Sequence, residues 1–203
     1  MSGARYKLAE AEYFLTAIRQ LQRGSGEFMY NVSAFLSACR GSFDVLLYDY
    51  ATKYQLGFTL DDFIDDNAFE RRAHTQNNHQ ALNFIVWWRN RLLQIQNDPV
   101  AGPLSTKRNV FIHRGRPPMT FTVYVSTTLT VSSSVRIIRD GTVQTQADSN
   151  PSPPTSVSRG PTSPEPTQNV YFKDFPSRDV LSLCEEYFRI MTQTIEEAEN
   201  QFP

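Results

Sequence analysis

The sequence predicts a mainly α-helical fold, an antiparallel bundle of about four long helices with a β-ribbon and a Pro/Ser-rich linker inserted before the last helix. Three observations predict it. Apolar residues recur at intervals of three and four over the first 115 residues and again over 177–202, the rhythm of one helical face. From Pro118 onward the chain instead alternates apolar and polar residues and becomes rich in Val, Thr and Ile. Residues 148–168, "DSNPSPPTSVSRGPTSPEPTQ", then carry almost no large apolar side chain.

Each element follows in order. Arg5 to Leu21 places Leu8, Tyr13, Leu15, Ile18 and Leu21 near helical spacing, and Gly24 and Gly26 in "RGSG" end that helix. Glu27 to Leu56 carries the strongest pattern in the chain: Phe28, Val32, Phe35, Leu36, Cys39, Phe43, Leu46, Leu47 and Tyr50. The small residues Ser37, Ala38, Gly41 and Ser42 within it suit close packing against another helix, and Gly57 stops it. "TLDDFIDDNAFERRAH" reads as a short helix capped by Thr59, acidic at its start and basic at its end, an order that complements the helix dipole. Gln76 to Asn97 is a further long helix with Leu82, Ile85, Val86, Leu92 and Leu93 as its core face and the Trp87-Trp88 pair partly buried; "NDP" ends it.

Ser105 can then cap a helix whose apolar residues are Val110, Phe111 and Ile112, terminated by Gly115 and Pro117-Pro118. Residues 119–146 read as a β-ribbon of two or three strands with a turn at Asp140-Gly141. The linker over 148–168 is extended or flexible. A last helix, Ser177 to Phe202, is capped by Ser177 and carries a stripe of Val180, Leu181, Cys184, Tyr187, Phe188, Met191 and Ile195. Short connections between the early helices favour antiparallel packing. The last stripe needs a groove, and the bundle is the one on offer. The strands, too few for a core of their own, are therefore read as an insertion into a single helical domain built from 5–115 and 177–202.

Composition narrows the classes. A chain of 203 residues is long enough to bury a full core without staples. Net charge is −1, so nothing in the overall charge draws the chain to nucleic acid, and any such contact needs a local patch. Cys39 and Cys184 have no CxxC spacing and no histidine nearby, which favours two buried reduced thiols over a redox or metal pair. No apolar run is long enough to span a bilayer, and "MSGARYKLAE" lacks the apolar core of a signal peptide. The expected location is cytoplasmic, away from membranes. Phosphate-loop glycines, dinucleotide fingerprints and Ser/His/Asp arrangements are absent, and no cofactor is expected.

The stretch "KRNVFIHRG", Lys107 to Gly115, holds the candidate chemistry. Asn109 and His113 are four apart and share a helix face. Arg108 and His113 are separated by about 140° around a helix, but a long arginine reaches round. The three can converge on one phosphate. A neutral histidine can take a proton from a ribose 2′-hydroxyl, and arginine can stabilise the charge that develops on phosphorus. Lys107, Arg114 and Arg116 would hold the RNA backbone electrostatically. The competing reading is a basic last turn that merely complements the helix C-terminus. The spacing alone is cheap, since Arg72 and His79 make another loose pair.

"RNVFIH" resembles the R-(polar)-x-x-x-H motif of HEPN domains, the higher eukaryotes and prokaryotes nucleotide-binding family. The resemblance covers roughly residues 5–115 and 177–202 and leaves out the β-ribbon and linker. It places Arg108, Asn109 and His113 at the motif positions. It implies a homodimer with facing motifs, metal-independent cleavage of RNA, and an antitoxin-like protein partner in toxin or defence systems. Arg114-Gly115-Arg116 stands where a subset of the family has a tyrosine after the histidine, which argues against silencing by modification of that tyrosine. Many members are not known to be nucleases, so a non-catalytic dimerisation or partner-binding module is the alternative.

Two further clusters have mainly structural readings. Asp61, Asp62, Asp65 and Asp66, with His74 and His79 downstream, suggest a metal site less readily than a solvated helix start, since no ligand spacing fits. Trp87-Trp88 beside Arg89 and Arg91 would suit base stacking, but aromatics on a long helix are more often core or interface.

Overall fold

Six helices make up most of the described residues of this computed structural model: α1 (Gly3–Gln20), α2 (Gly26–Lys53), α3 (Asp66–Thr75), α4 (His79–Asn97), α5 (Ala101–Arg114) and α6 (Val180–Gln201). The described residues are 2–59, 61–114, 119–124, 135–137, 143–145 and 167–203, with side chains described over 2–59, 61–107 and 169–203. Strand β1 (Met119–Tyr124) pairs with β4 (Thr167–Phe172). β2 (Val135–Ile137) pairs antiparallel with β3 (Val143–Thr145), with Arg136 opposite Gln144. The Asp140-Gly141 turn expected between them and residues 148–166 of the expected linker over 148–168 lie outside the described residues, while its last two residues, Thr167 and Gln168, instead begin β4. The chain forms two compact units, one of Met1–Thr122 with Asn169–Pro203 and one of Val123–Gln168. The fold is mainly helical, as its apolar periodicity predicts.

Side-chain caps set the helix starts. Ser2, Ser25, Asp65, Asn78 and Asp179 each accept a hydrogen bond from a backbone N–H in the first turn that follows. Four starts differ most from the sequence reading. α4 begins at His79 rather than Gln76, because the Asn78 side chain caps it by accepting from the Ala81 N–H. α3 is capped by Asp65, not Thr59; Thr59 instead donates its N–H to the Asp62 carboxylate. α6 is capped by Asp179, two residues beyond Ser177. α5 begins at Ala101 rather than after Ser105, because the Asp98 carboxylate accepts from the N–H groups of both Val100 and Ala101, at 2.8 Å each. Pro103 sits in its first turn, where a missing N–H costs no helical bond. Asn77 at φ 49° turns the chain from α3 to α4, and Gly57 at φ 73° does so after α2.

α2 is the central element. It packs against α1, α5 and α6, and between residues 31 and 43 none of its residues is exposed. α1 and α6 run antiparallel, since Arg5 meets Glu199 at 2.6 Å and Arg19 meets Glu185 at 3.0 Å. α1 and α2 also run antiparallel: the α1 start donates to Asp49, near the far end of α2, and Lys7 lies beside Gly41. The core is aromatic around Phe84, which stacks on Tyr50 at 4.1 Å and packs against Phe69, Trp88 and Phe202. On α4 the buried face is Ala81, Phe84, Ile85, Trp88 and Ile95. Val86 and Leu93, expected in the core, are 57% and 55% exposed. They lie seven residues apart on the opposite face. Tyr13 of α1, also placed on an apolar face by its spacing, is exposed.

Candidate functional site

α5 carries the motif, and its neighbours brace it. Ala101, Leu104 and Lys107 form its buried face. At its start α5 crosses close to the end of α4: a Cβ on Gly102 would overlap the Gln96 carbonyl oxygen. Ser105 shares a hydrogen bond of 3.1 Å with the Tyr187 hydroxyl of α6. The Lys107 ammonium donates to Asp174, just past β4, and lies 5.6 Å from the centre of the Phe172 ring. Lys107, expected to hold an RNA backbone, is therefore buried and paired within the fold.

Arg108, Asn109, His113 and Arg114 all belong to the continuous α5 helix, while Arg116 lies outside the described residues. Their side chains are outside the described set, so the register of the backbone is what places them. Positions 109 and 113 are one turn apart and continue the face of Thr106, which is exposed. Position 108 is one turn beyond Leu104 and two turns beyond Ala101, within the arc of the buried face and about 140° from position 113. The helix thus brings the three motif positions within two turns, with two of them on its Thr106 side.

Along that side lies an open cleft of about 690 Å³ between α2, α4 and the first half of α5. Phe43, Leu92, Ile95 and Pro103 supply apolar wall; Arg40 and Gln96 supply polar groups. A second lobe of about 600 Å³ shares Arg40, Phe43 and Leu92 and extends to the connection before α3. It is bordered by Asp44, Asp62, Asp65 and Asp66. The sequence reading did not single out Arg40, Gln96 or Thr106. Their proximity depends on how α4 and α5 meet, for which no local pattern exists.

The acidic cluster has structural partners. Asp65 caps α3, and Asp66 accepts from the Trp88 indole at 3.2 Å. The Thr59 N–H above all, with the charge of Arg72 adding, holds the Asp62 carboxyl below its usual range. No group of three or more His, Cys, Asp or Glu side chains among the described residues is arranged to hold a metal ion. The Trp87-Trp88 pair is likewise structural. Trp88 is buried edge-on against Phe43 at 5.3 Å, Arg89 pairs with Glu70, and Arg91 pairs with Glu197. Burial drives the thiols of Cys39 and Cys184 upward, so both remain protonated at neutral pH.

No helix among the described residues is long and apolar enough to cross a membrane. No protein-family model, no curated protein and no solved structure matches the chain.

Proposed function

We propose that the chain is a HEPN-like protein whose helices form an antiparallel four-helix bundle, and that it cleaves RNA without a metal ion, acting in the cytoplasm as a homodimer. Arg108, Asn109 and His113 carry the chemistry in this reading. His113 takes the proton of a ribose 2′-hydroxyl as that oxygen attacks the adjacent phosphorus, and a protonated histidine returns a proton to the leaving 5′-oxygen. Two-fold pairing of motifs supplies both forms at one phosphate. Arg108 stabilises the negative charge that builds on the non-bridging oxygens, and Asn109 orients the phosphate. Arg114 and Arg116 hold the backbone on either side; Lys107, paired with Asp174, steadies the helix instead.

The observation that carries this reading is the register of α5. Its motif positions 109 and 113 continue an exposed face beside an open cleft, while its opposite face is fixed by Leu104 and Lys107. A reacting group needs that combination of access and a rigid support. The test is incubation of purified protein with a mixed RNA pool in excess chelator, beside His113→Ala and Arg108→Ala. Cleavage by the native chain and its loss in both variants is the expected result. Intact RNA in every lane sinks the proposal.

One observation favours a second reading, a non-catalytic dimerisation or partner-binding module. Tyr6 and Tyr13 stand seven residues apart on α1, 70% and 71% exposed, and Tyr30 of α2 is 70% exposed. Exposed tyrosines concentrate at protein interfaces. Dimerisation or capture of an antitoxin-like partner through the Tyr6–Tyr13 face of α1, with RNA left intact, would select that reading.

A further inference from the structure

We propose that the cleft between α2, α4 and the first half of α5 is a nucleotide subsite that seats one residue of a single-stranded RNA. The inference rests on the reading of the chain as an RNA-acting protein and gives the substrate's base and phosphate a place in it. Three observations carry it. The first is size: about 690 Å³ falls within the roughly 300–1,000 Å³ typical of small-ligand sites, enough for a nucleotide but not a duplex.

The second is chemistry. Leu92, Ile95 and Pro103 form an apolar wall suited to the face of a base. Gln96 is exposed at the rim, and its amide offers both a donor and an acceptor to a base edge, as single-stranded RNA recognition requires. Arg40 is the cation of the cleft. Its ion pair with Asp44, at 3.7 Å, joins a partly exposed side chain to an exposed one and is weak enough for a phosphate to compete.

The third is direction. Arg40 stands at the waist between the two lobes. On its far side Asp44, Asp62, Asp65 and Asp66 border the second lobe and repel a continuing phosphate backbone. On its near side the wall is uncharged and leads along Thr106 to positions 109 and 113, about 4.5 and 10.5 Å further along α5. A strand anchored at Arg40 is therefore steered toward the motif. Discrimination between bases would reside at Gln96 and fit, not in the motif itself.

The experiment uses the full chain labelled with ¹⁵N and titrated with the four nucleoside 5′-monophosphates and a short single-stranded oligoribonucleotide. Saturable shifts at the amides of Arg40, Gln96, Gly102 and Thr106 are expected. Arg40→Gln, which removes the phosphate partner, and Gln96→Trp, which fills the cleft from an exposed position, should each weaken binding at least tenfold. No saturable shift at those amides, or binding by both cleft variants as tight as by the native chain, overturns the subsite. The two readings fail separately. Nucleotide binding at the cleft without any RNA cleavage would remove the catalytic role of His113 and keep the subsite. Cleavage with an unchanged KM in Arg40→Gln and Gln96→Trp would do the reverse.

Discussion

The ammonium of Lys107, next to Arg108 in sequence, is buried and donates to the carboxylate of Asp174. Immediately before the motif, α5 is therefore tied to the segment that follows β4. Asp174 is itself more than half exposed, so the pair is only partly desolvated. Asp174→Asn leaves the lysine charge buried beside a neutral partner and should cost about 1–3 kcal/mol. Lys107→Met keeps the apolar stem and removes that charge, so it should cost less. Urea unfolding of the two variants checks the order; the reverse order would mean that the stem, not the charge, matters.

Gly102 is required by close approach rather than by backbone freedom. A methyl group there meets the Gln96 carbonyl oxygen, an atom of the α4 backbone that cannot swing aside. Gly102→Ala should destabilise the fold by about 1–3 kcal/mol, the range for overpacking a tight contact. It should also move Gln96 and Pro103 apart and so weaken nucleotide binding at the cleft. A variant as stable as the native chain would show that the α4–α5 corner yields.

Glu199 joins α6 to the start of α1 and should shape the acid limb of stability. Burial alone pushes its carboxyl upward, but hydrogen bonds from Arg5 and Ser2 and the Arg5 charge together bring it below the usual value. A carboxylate lowered in the folded state binds its proton more readily when unfolded. Its stabilisation is thus complete above the unfolded value, about 4.3, and is lost as pH falls through the lowered folded value. Asp49 works in the opposite sense. Burial raises its carboxyl despite the hydrogen bond from Ala4, so it loses part of its penalty as pH falls toward its unfolded value. Glu199→Gln should flatten the acid limb. Unfolding midpoints measured between about pH 7 and pH 3 that fall as steeply in the variant as in the native chain would refute the assignment.

Cys39 and Cys184 are fully buried and their thiols are shifted upward by desolvation. Both should resist alkylation in the native chain at mildly alkaline pH and react only through unfolding. Modification rates that track urea concentration are expected. Fast labelling in native buffer would show that the α2–α6 contact opens locally.

Much of the fold was legible because apolar periodicity is a local signal. The stripe of α2 from Phe28 to Tyr50 and that of α6 from Val180 to Ile195 both face the core as their spacing requires. The errors have physical causes. Val86 and Leu93 are apolar but fall opposite the 81, 84, 85, 88, 95 stripe, and hydrophobicity without phase misplaces them. Thr59 and Ser177 are good capping residues, yet the caps go to Asp65 and Asp179, whose carboxylates reach the first free N–H groups. β4 was missed because its short apolar run pairs with β1, more than forty residues away. The motif was visible as residue types at a spacing. The burial of Lys107 and the cleft lined by Arg40 and Gln96 depend on tertiary packing that no local pattern encodes.

The most direct measurement compares an RNA oligonucleotide with its fully 2′-deoxy counterpart, each incubated in chelator with the native chain and with His113→Ala. The account predicts cleavage of the RNA alone, by the native chain alone, leaving 5′-hydroxyl ends, because the attacking oxygen is the ribose 2′-hydroxyl and His113 takes its proton. Cleavage of the deoxy strand, equal cleavage by His113→Ala, or no cleavage by a folded native chain would contradict it.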